Sequence, residues 1–262
     1  MTPETDRSHD GNDKHEEHDE VADLVGRLVA PQEADGAERR RLLGRLSKAL
    51  AVSAKEARRS GTARGRWLAD VFVNIAQRLP VRDYATLQEH HYGLTGEALA
   101  DDLVRTAAKA TMAIGAVGGA LAAAEFAAPP LLLSAPAQLV AETLVVAAVE
   151  VKLVAELHEV YGVHIPGNGS QRAAAYALAW SKQRGVNPLA PGSATLALGA
   201  AAKTALRNRL MRTLGRHLTT LGPFLTGAVA GGALNRVATR RLAEAVRADL
   251  RRQQTLPPGQ SG

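Results

Sequence analysis

Residues 104–162 read VRTAAKATMAIGAVGGALAAAEFAAPPLLLSAPAQLVAETLVVAAVEVKLVAELHEVYG and hold two long apolar segments. Three prolines separate these segments: Pro129, Pro130 and Pro136. Each segment is long enough for several helical turns, and proline is typical of the corner between two helices. No convincing strand pattern occurs elsewhere in the chain. We therefore predict an all-α protein, a multi-helix bundle around this long apolar helical hairpin, with no sheet.

The composition favours closely packed helices and excludes thiol chemistry. Of the 262 residues, 46% are hydrophobic but only 3% are aromatic, so the apolar mass is alanine, leucine and valine. The chain has no cysteine, which excludes disulfides, thiol nucleophiles and thiolate metal sites. Its length suffices for one large domain or two small ones.

The first apolar segment has features of both a membrane helix and a soluble core helix. Residues 110–128, about 19 in number, would form a helix of roughly 28 Å, enough in principle to span a bilayer. Glu125 near its end, together with the high alanine and glycine content, disfavours autonomous insertion. On the sequence alone, lipid insertion of the 111–149 hairpin and a soluble core both stay open.

The second segment predicts a helix over residues 137–161 that is apolar on nearly every side around its centre. Glu150 lies in that apolar centre. A buried carboxylate needs a partner or keeps its proton. We interpret Glu150 as part of a core or interface ion pair, with a functional role as the alternative.

The net charge of +6 is unevenly distributed. Residues 1–20 contain eight acids, whereas from Val160 to Ala243 there is no Asp or Glu and there are eleven Lys or Arg. Such a basic block is typical of a solvated face, or of a surface that meets lipid headgroups, nucleic acid or an acidic partner. The arginines that we predict to contact an anionic surface are Arg207, Arg209, Arg212, Arg216, Arg236, Arg240 and Arg241.

Composition divides the chain into four segments. Residues 1–20 are predicted to be a disordered acidic tail, whose histidines preorganise no metal site. Residues 21–60 are predicted to form amphipathic basic helices, residues 65–252 the main helical domain, and residues 253–262 a second disordered tail. The amino terminus has neither the basic start nor the apolar core of a signal peptide, so we expect a cytoplasmic location.

Motifs for catalysis and cofactor binding are missing. The chain contains no GxxxxGK[ST], no GxSxG and no HExxH. In the connector over residues 81–93, the adjacent His90 and His91 would point to different faces of a helix and could not easily share a metal. We find no nucleophile–base pair and no paired carboxylates, so we predict a protein without enzymatic activity, cofactor or metal.

Two glycine pairs at helical spacing predict close helix crossings. They are Gly115 with Gly119, and Gly227 with Gly231. Small residues four positions apart allow two helix backbones to approach closely. We predict that a homo-oligomer could form through either face.

Several motifs together resemble the EcsC protein family. The residues that carry the resemblance are Pro129, Pro136, Tyr161-Gly162, Gly222-Pro223, Gly227-Ala228, Gly231-Gly232 and Asn235. It covers about residues 65–250. The resemblance implies a largely helical bacterial protein with membrane-like apolar segments, similar to one encoded beside an ABC transporter. It carries over no catalytic residues.

These observations lead to one main functional hypothesis and two alternatives. We expect a non-enzymatic accessory protein at the cytoplasmic face of a bacterial membrane, peripheral or partly inserted, which the resemblance links to transport or secretion. Its partner would be an anionic membrane surface or a membrane protein. The alternative is a soluble helical bundle that acts as a protein-interaction module. Nucleic-acid binding is less favoured, because aromatic residues are scarce and no recognition motif is present.

Overall fold

Eight helices account for nearly all of the residues that the computed structural model describes, and no strand occurs among them. The described residues are 19–30, 35–59, 61, 64–127, 135–183 and 223–255. The all-α fold class is therefore confirmed. The helices are α1 (19–29), α2 (Gly36–Arg59), α3 (Arg64–Arg78), α4 (Tyr84–His90), α5 (Gly96–Ala127), α6 (Ala135–Val160), α7 (Gly169–Gln183) and α8 (Pro223–Thr255).

Two aspartates cap helices as their sequence positions require. The Asp35 carboxylate accepts hydrogen bonds from the backbone N–H groups of Ala37 and Glu38, at 2.8 and 2.7 Å, at the start of α2. Asp83 accepts one from the N–H of Thr86 at 2.8 Å and begins α4. The first backbone N–H groups of a helix have no acceptor within the helix, and these two carboxylates supply one. The same hydrogen bonds lower the pKa of both carboxyls.

Helix α6 lies at the centre of the bundle. Helices α2, α3, α4, α5, α7 and α8 all contact it. Every residue from Val151 to His158 is buried, including the polar side chains of Lys152, Glu156 and His158. The second apolar segment therefore supplies the core. The residues that join α5 to α6, 128–134, lie outside the described part of the chain.

Helices α5 and α8 cross at their small residues. A Cβ atom added to Gly115 would lie 2.6 Å from the carbonyl oxygen of Gly231, and one added to Gly232 would lie 2.8 Å from that of Met112. The two predicted crossing faces thus meet each other within one chain. The oligomer predicted through these faces stays a prediction, and it would require copies to exchange helices.

Some predicted segments lie outside the described residues. These are residues 1–18 of the acidic tail, residues 184–222 of the predicted main helical domain, and residues 256–262 of the second tail. Among the described helices, none combines the length and apolar content that crossing a membrane would require.

Candidate anionic-surface site on the last helix

Helix α8 carries the three predicted anion-contacting arginines that the structure describes. These are Arg236, Arg240 and Arg241. The other four, Arg207, Arg209, Arg212 and Arg216, lie outside the described residues. As far as the structure describes it, the candidate site therefore lies on α8.

The inner face of α8 is anchored in the bundle. Its buried side chains, spaced at three and four positions, are Thr239, Leu242, Ala243, Val246 and Leu250. The side-chain amide of Asn235 also donates to the carbonyl oxygen of Thr111 on α5 at 3.3 Å. Because these side chains are buried in the bundle, the opposite side of α8 is exposed to solvent.

The outward face of α8 begins apolar and ends basic. Val229, Leu234 and Val237 are large apolar side chains that are 69%, 44% and 47% exposed. Arg240 and Arg241 follow Val237 by three and four positions, so they lie one turn further along the same exposed side. We call these five residues the α8 outer face.

The guanidinium groups of the α8 outer face are available to an outside partner. Within the described residues, no carboxylate forms an ion pair with Arg236, Arg240 or Arg241. Arg240 and Arg241 are exposed, whereas Arg236 is half-buried and its guanidinium lies 3.8 Å from the sulfur of Met112. The structure thus brings Arg240 and Arg241 together on the surface and directs Arg236 towards α5.

The arginines near the end of α8 have a different role. Arg251 donates from Nε to Glu97 on α5 at 2.8 Å, and Arg247 pairs with both Glu97 and Asp101. The hydroxyl of Tyr161 donates to Glu97 at 2.9 Å and accepts from Nε of Arg247 at 3.0 Å. The Arg251 hydrogen bond is the largest of the effects that lower the pKa of Glu97 to about 2. This cluster, which we call the Glu97 cluster, joins α5, α6 and α8.

Glu150 is fully buried and holds α7 and α8 against α6. Its carboxylate accepts hydrogen bonds from the indole N–H of Trp180 at 2.9 Å and the hydroxyl of Thr239 at 3.0 Å. The hydroxyls of Thr239 and Thr111 are also 3.0 Å apart. Sequence analysis predicted that Glu150 needs a partner but did not identify these two neutral donors, because which side chains reach Glu150 depends on how α7 and α8 pack against α6.

Within the described residues, no group of three or more His, Asp or Glu side chains is placed to hold a metal. Comparison with known proteins found no matching family model, no matching curated protein and no matching solved structure. Function has to be argued from the sites themselves.

Proposed function

We propose that this chain is a non-enzymatic accessory protein that binds the cytoplasmic face of a bacterial membrane through the α8 outer face. The observation that carries the proposal is the sequence of exposed side chains along α8, with Val229, Leu234 and Val237 followed by Arg240 and Arg241. An interfacial helix places apolar side chains at the boundary of headgroups and acyl chains. Its arginines then meet anionic headgroups.

The expected binding is weak and depends on anionic lipid. Each arginine near an anionic surface contributes about 1 kcal/mol, and this contribution falls within a Debye length. Each exposed valine or leucine adds well below the roughly 1.5–3 kcal/mol of full burial, because it is already partly covered by the bundle and an interfacial helix buries it only in part. The sum supports reversible, salt-sensitive association rather than permanent anchoring.

The link to transport or secretion rests on the resemblance to the EcsC family, which stays a prediction. If it holds, the neighbour at the membrane would include a transporter subunit. An acidic segment of such a membrane protein offers the same negative charge as anionic lipid. The α8 outer face combines a cationic patch with neighbouring apolar side chains, so it suits either anionic lipid or such an acidic segment.

A soluble protein-interaction module is the second candidate. It is favoured by the position of α6, which six other helices surround, so that this apolar segment is used as core. In that case the α8 outer face would dock on an acidic, partly apolar surface of another protein. The two candidates differ in whether lipid alone is sufficient for binding.

Vesicle flotation with the full chain tests the proposal. We expect the protein to float with phosphatidylglycerol vesicles at low salt, and to stay behind with phosphatidylcholine vesicles or at high salt. Flotation should be lost in the double variant Arg240→Gln/Arg241→Gln and weakened in Val237→Asp. The matched control, Arg172→Gln/Lys182→Gln, removes two exposed charges from α7 and should float normally.

Two results would overturn the proposal. If the protein never floats with phosphatidylglycerol vesicles, lipid is not its partner, and the interaction module becomes the better candidate. If flotation persists in high salt and alkaline carbonate, the chain inserts into the bilayer rather than binding peripherally.

A further inference from the structure

A second site lies on another side of the bundle, in a cleft between α4, α5 and α6. The cleft has a volume of about 200 Å³, and none of the residues that line it belongs to α8. Its apolar lining consists of Val29, Leu103, Ala107, Ala110, Val149 and Leu153. Pockets for drug-sized ligands start at roughly 300 Å³, so this cleft suits a smaller molecule.

A buried ion pair lines this cleft. Lys152 and Glu156, one turn apart on α6, are 8% and 4% exposed, and the Lys152 ammonium donates to Oε1 of Glu156. An ammonium has three N–H donors and a carboxylate has two acceptor oxygens. No other described side chain bonds to either group. Two donors of Lys152 and Oε2 of Glu156 are therefore left for a molecule in the cleft.

A buried ion pair of this kind is not expected to stabilise the fold more than apolar side chains of similar volume would. Removing two charges from water costs several kcal/mol per ion, and apolar replacements of similar volume are often neutral or stabilising. Burial lowers the pKa of Lys152 although Glu156 lies beside it, and the positive charge of Arg82 lowers it further. An ionisable pair of this kind in a cleft is typical of a binding site.

The rim of the cleft adds further polar groups. Arg82 also lines the cleft, and among the described residues its guanidinium has no hydrogen-bond or ion-pair partner. Nδ1 of His91 lies 2.6 Å from the carboxylate of Asp102, which also pairs with Arg105 at 3.1 Å. Tyr92 has a φ of 56° and a side chain that is 96% exposed. This left-handed residue follows the C-cap of α4, and the N–H of Gly93 donates to the carbonyl oxygen of Gln88 at 2.8 Å, so the conformation belongs to the end of that helix.

We propose that this cleft binds a small zwitterion, a free amino acid with a short aliphatic side chain. The charged side chains that line it are two cations, Arg82 and Lys152, and two anions, Asp102 and Glu156. Arg82 and the two open donors of Lys152 hold the ligand carboxylate. Oε2 of Glu156 accepts from the ligand ammonium, and the apolar lining holds the side chain. A phosphate offers no cationic group to Oε2 of Glu156, whereas the ammonium of an amino acid does.

Calorimetric titration of the full chain with three probes tests the assignment. L-valine carries both charged groups, isovalerate lacks the ammonium, and isobutylamine lacks the carboxylate, while all three share the isopropyl group. We expect saturable binding of L-valine and at least about tenfold weaker binding of the other two, because each leaves a charged group of the cleft without its partner.

Variants test the location of the site. Arg82→Gln should weaken L-valine binding by about tenfold, as expected for loss of a charge-assisted bond. Arg172→Gln, the matched loss of an exposed arginine on α7, should leave binding unchanged. The double variant Lys152→Met/Glu156→Leu should abolish binding, with circular dichroism checking that it folds.

The proposal fails if L-valine does not bind, or if Arg82→Gln binds it as tightly as the parent chain. Equal binding of isovalerate and L-valine would overturn the zwitterion assignment, since the cleft would then recognise a carboxylate alone. If the protein binds L-valine but does not float with vesicles, only the membrane proposal is wrong. The two sites can therefore fail independently.

Discussion

The indole N–H of Trp180 donates a 2.9 Å hydrogen bond to Glu150, which ties α7 to the central helix α6. The hydroxyl of Thr239 on α8 binds the other oxygen of the same carboxylate at 3.0 Å. The consecutive helices α6 and α7 and the distant helix α8 therefore meet at one buried group. Phe72 of α3 packs against the Trp180 ring at 5.4 Å between centroids, which extends the contact to a fourth helix.

Thr239→Val should destabilise the protein because it removes a donor to a buried carboxylate while keeping the side-chain volume. Losing one hydrogen bond to a buried charged group costs about 1–3 kcal/mol of the free energy of unfolding, while the indole N–H of Trp180 keeps its own bond to the carboxylate. Chemical denaturation followed by circular dichroism measures this change.

Thr143→Val is the matched control for that prediction. The hydroxyl of Thr143 donates only to the carbonyl oxygen of Leu139, one turn earlier in the same helix. Its loss should change the free energy of unfolding by much less. If both variants are equally stable, Thr239 does not support Glu150 in the way that the structure indicates.

Gly115→Ala should destabilise the crossing of α5 and α8. Alanine is the better helix former by roughly 1 kcal/mol, but its Cβ would lie 2.6 Å from the backbone oxygen of Gly231, which cannot move alone. We expect a net loss of about 1–3 kcal/mol, as for other overpacked sites.

Gly44→Ala on α2 separates the steric effect from helix propensity. Gly44 is exposed within the helix, and a Cβ there would meet nothing within 4 Å. The same substitution should therefore raise the thermal midpoint at Gly44 and lower it at Gly115. A rise at both positions would mean that α5 and α8 do not approach as closely as described.

The fold class was predictable because helical periodicity and the lack of strand patterns are local properties. Helix α4 was missed, since its seven residues lie in what the pattern indicated as a connector over residues 81–93. The N-cap at Asp83, three residues before Thr86, was the signal that could have found it.

The sites were only partly predictable, because exposure and pairing depend on tertiary packing. The arginines of α8 look alike in the sequence, yet Arg240 is exposed and pairs with no described carboxylate, while Arg247 is bound to Glu97 and Asp101. The spacing of Lys152 and Glu156 is visible in the sequence. That Arg82 lines the same cleft depends on how α4 packs on α6.

The Glu97 cluster should make stability depend on acid pH. The pKa of Glu97 is lowered from 4.5 to about 2, chiefly by the hydrogen bond from Arg251. A carboxyl with a lowered folded-state pKa stabilises the protein above pH 4.5, and this stabilisation is lost as the pH falls towards 2. Because Glu97 is half-exposed, we expect its contribution to be only about 1 kcal/mol.

Denaturation of the Glu97→Gln variant at acid pH values tests whether the charge of Glu97 contributes to the free energy of unfolding. The variant should be less stable than the parent at neutral pH, and the difference should shrink between pH 4.5 and 2. Glu244→Gln, an exposed carboxyl on α8, is the control and should show no such pattern. A constant difference at every pH would mean that Glu97 acts by packing rather than by charge.

The buried pair of Lys152 and Glu156 gives the last prediction, on stability without any ligand. Lys152→Met alone leaves the Glu156 carboxylate buried and unpaired, so it should cost about 3 kcal/mol at neutral pH. Lys152→Met/Glu156→Leu removes both charges and should be as stable as the parent or more stable. Denaturation of the parent and both variants tests this, because a double variant less stable than the parent would show that the pair stabilises the fold. In that case stability alone would explain why the chain keeps it.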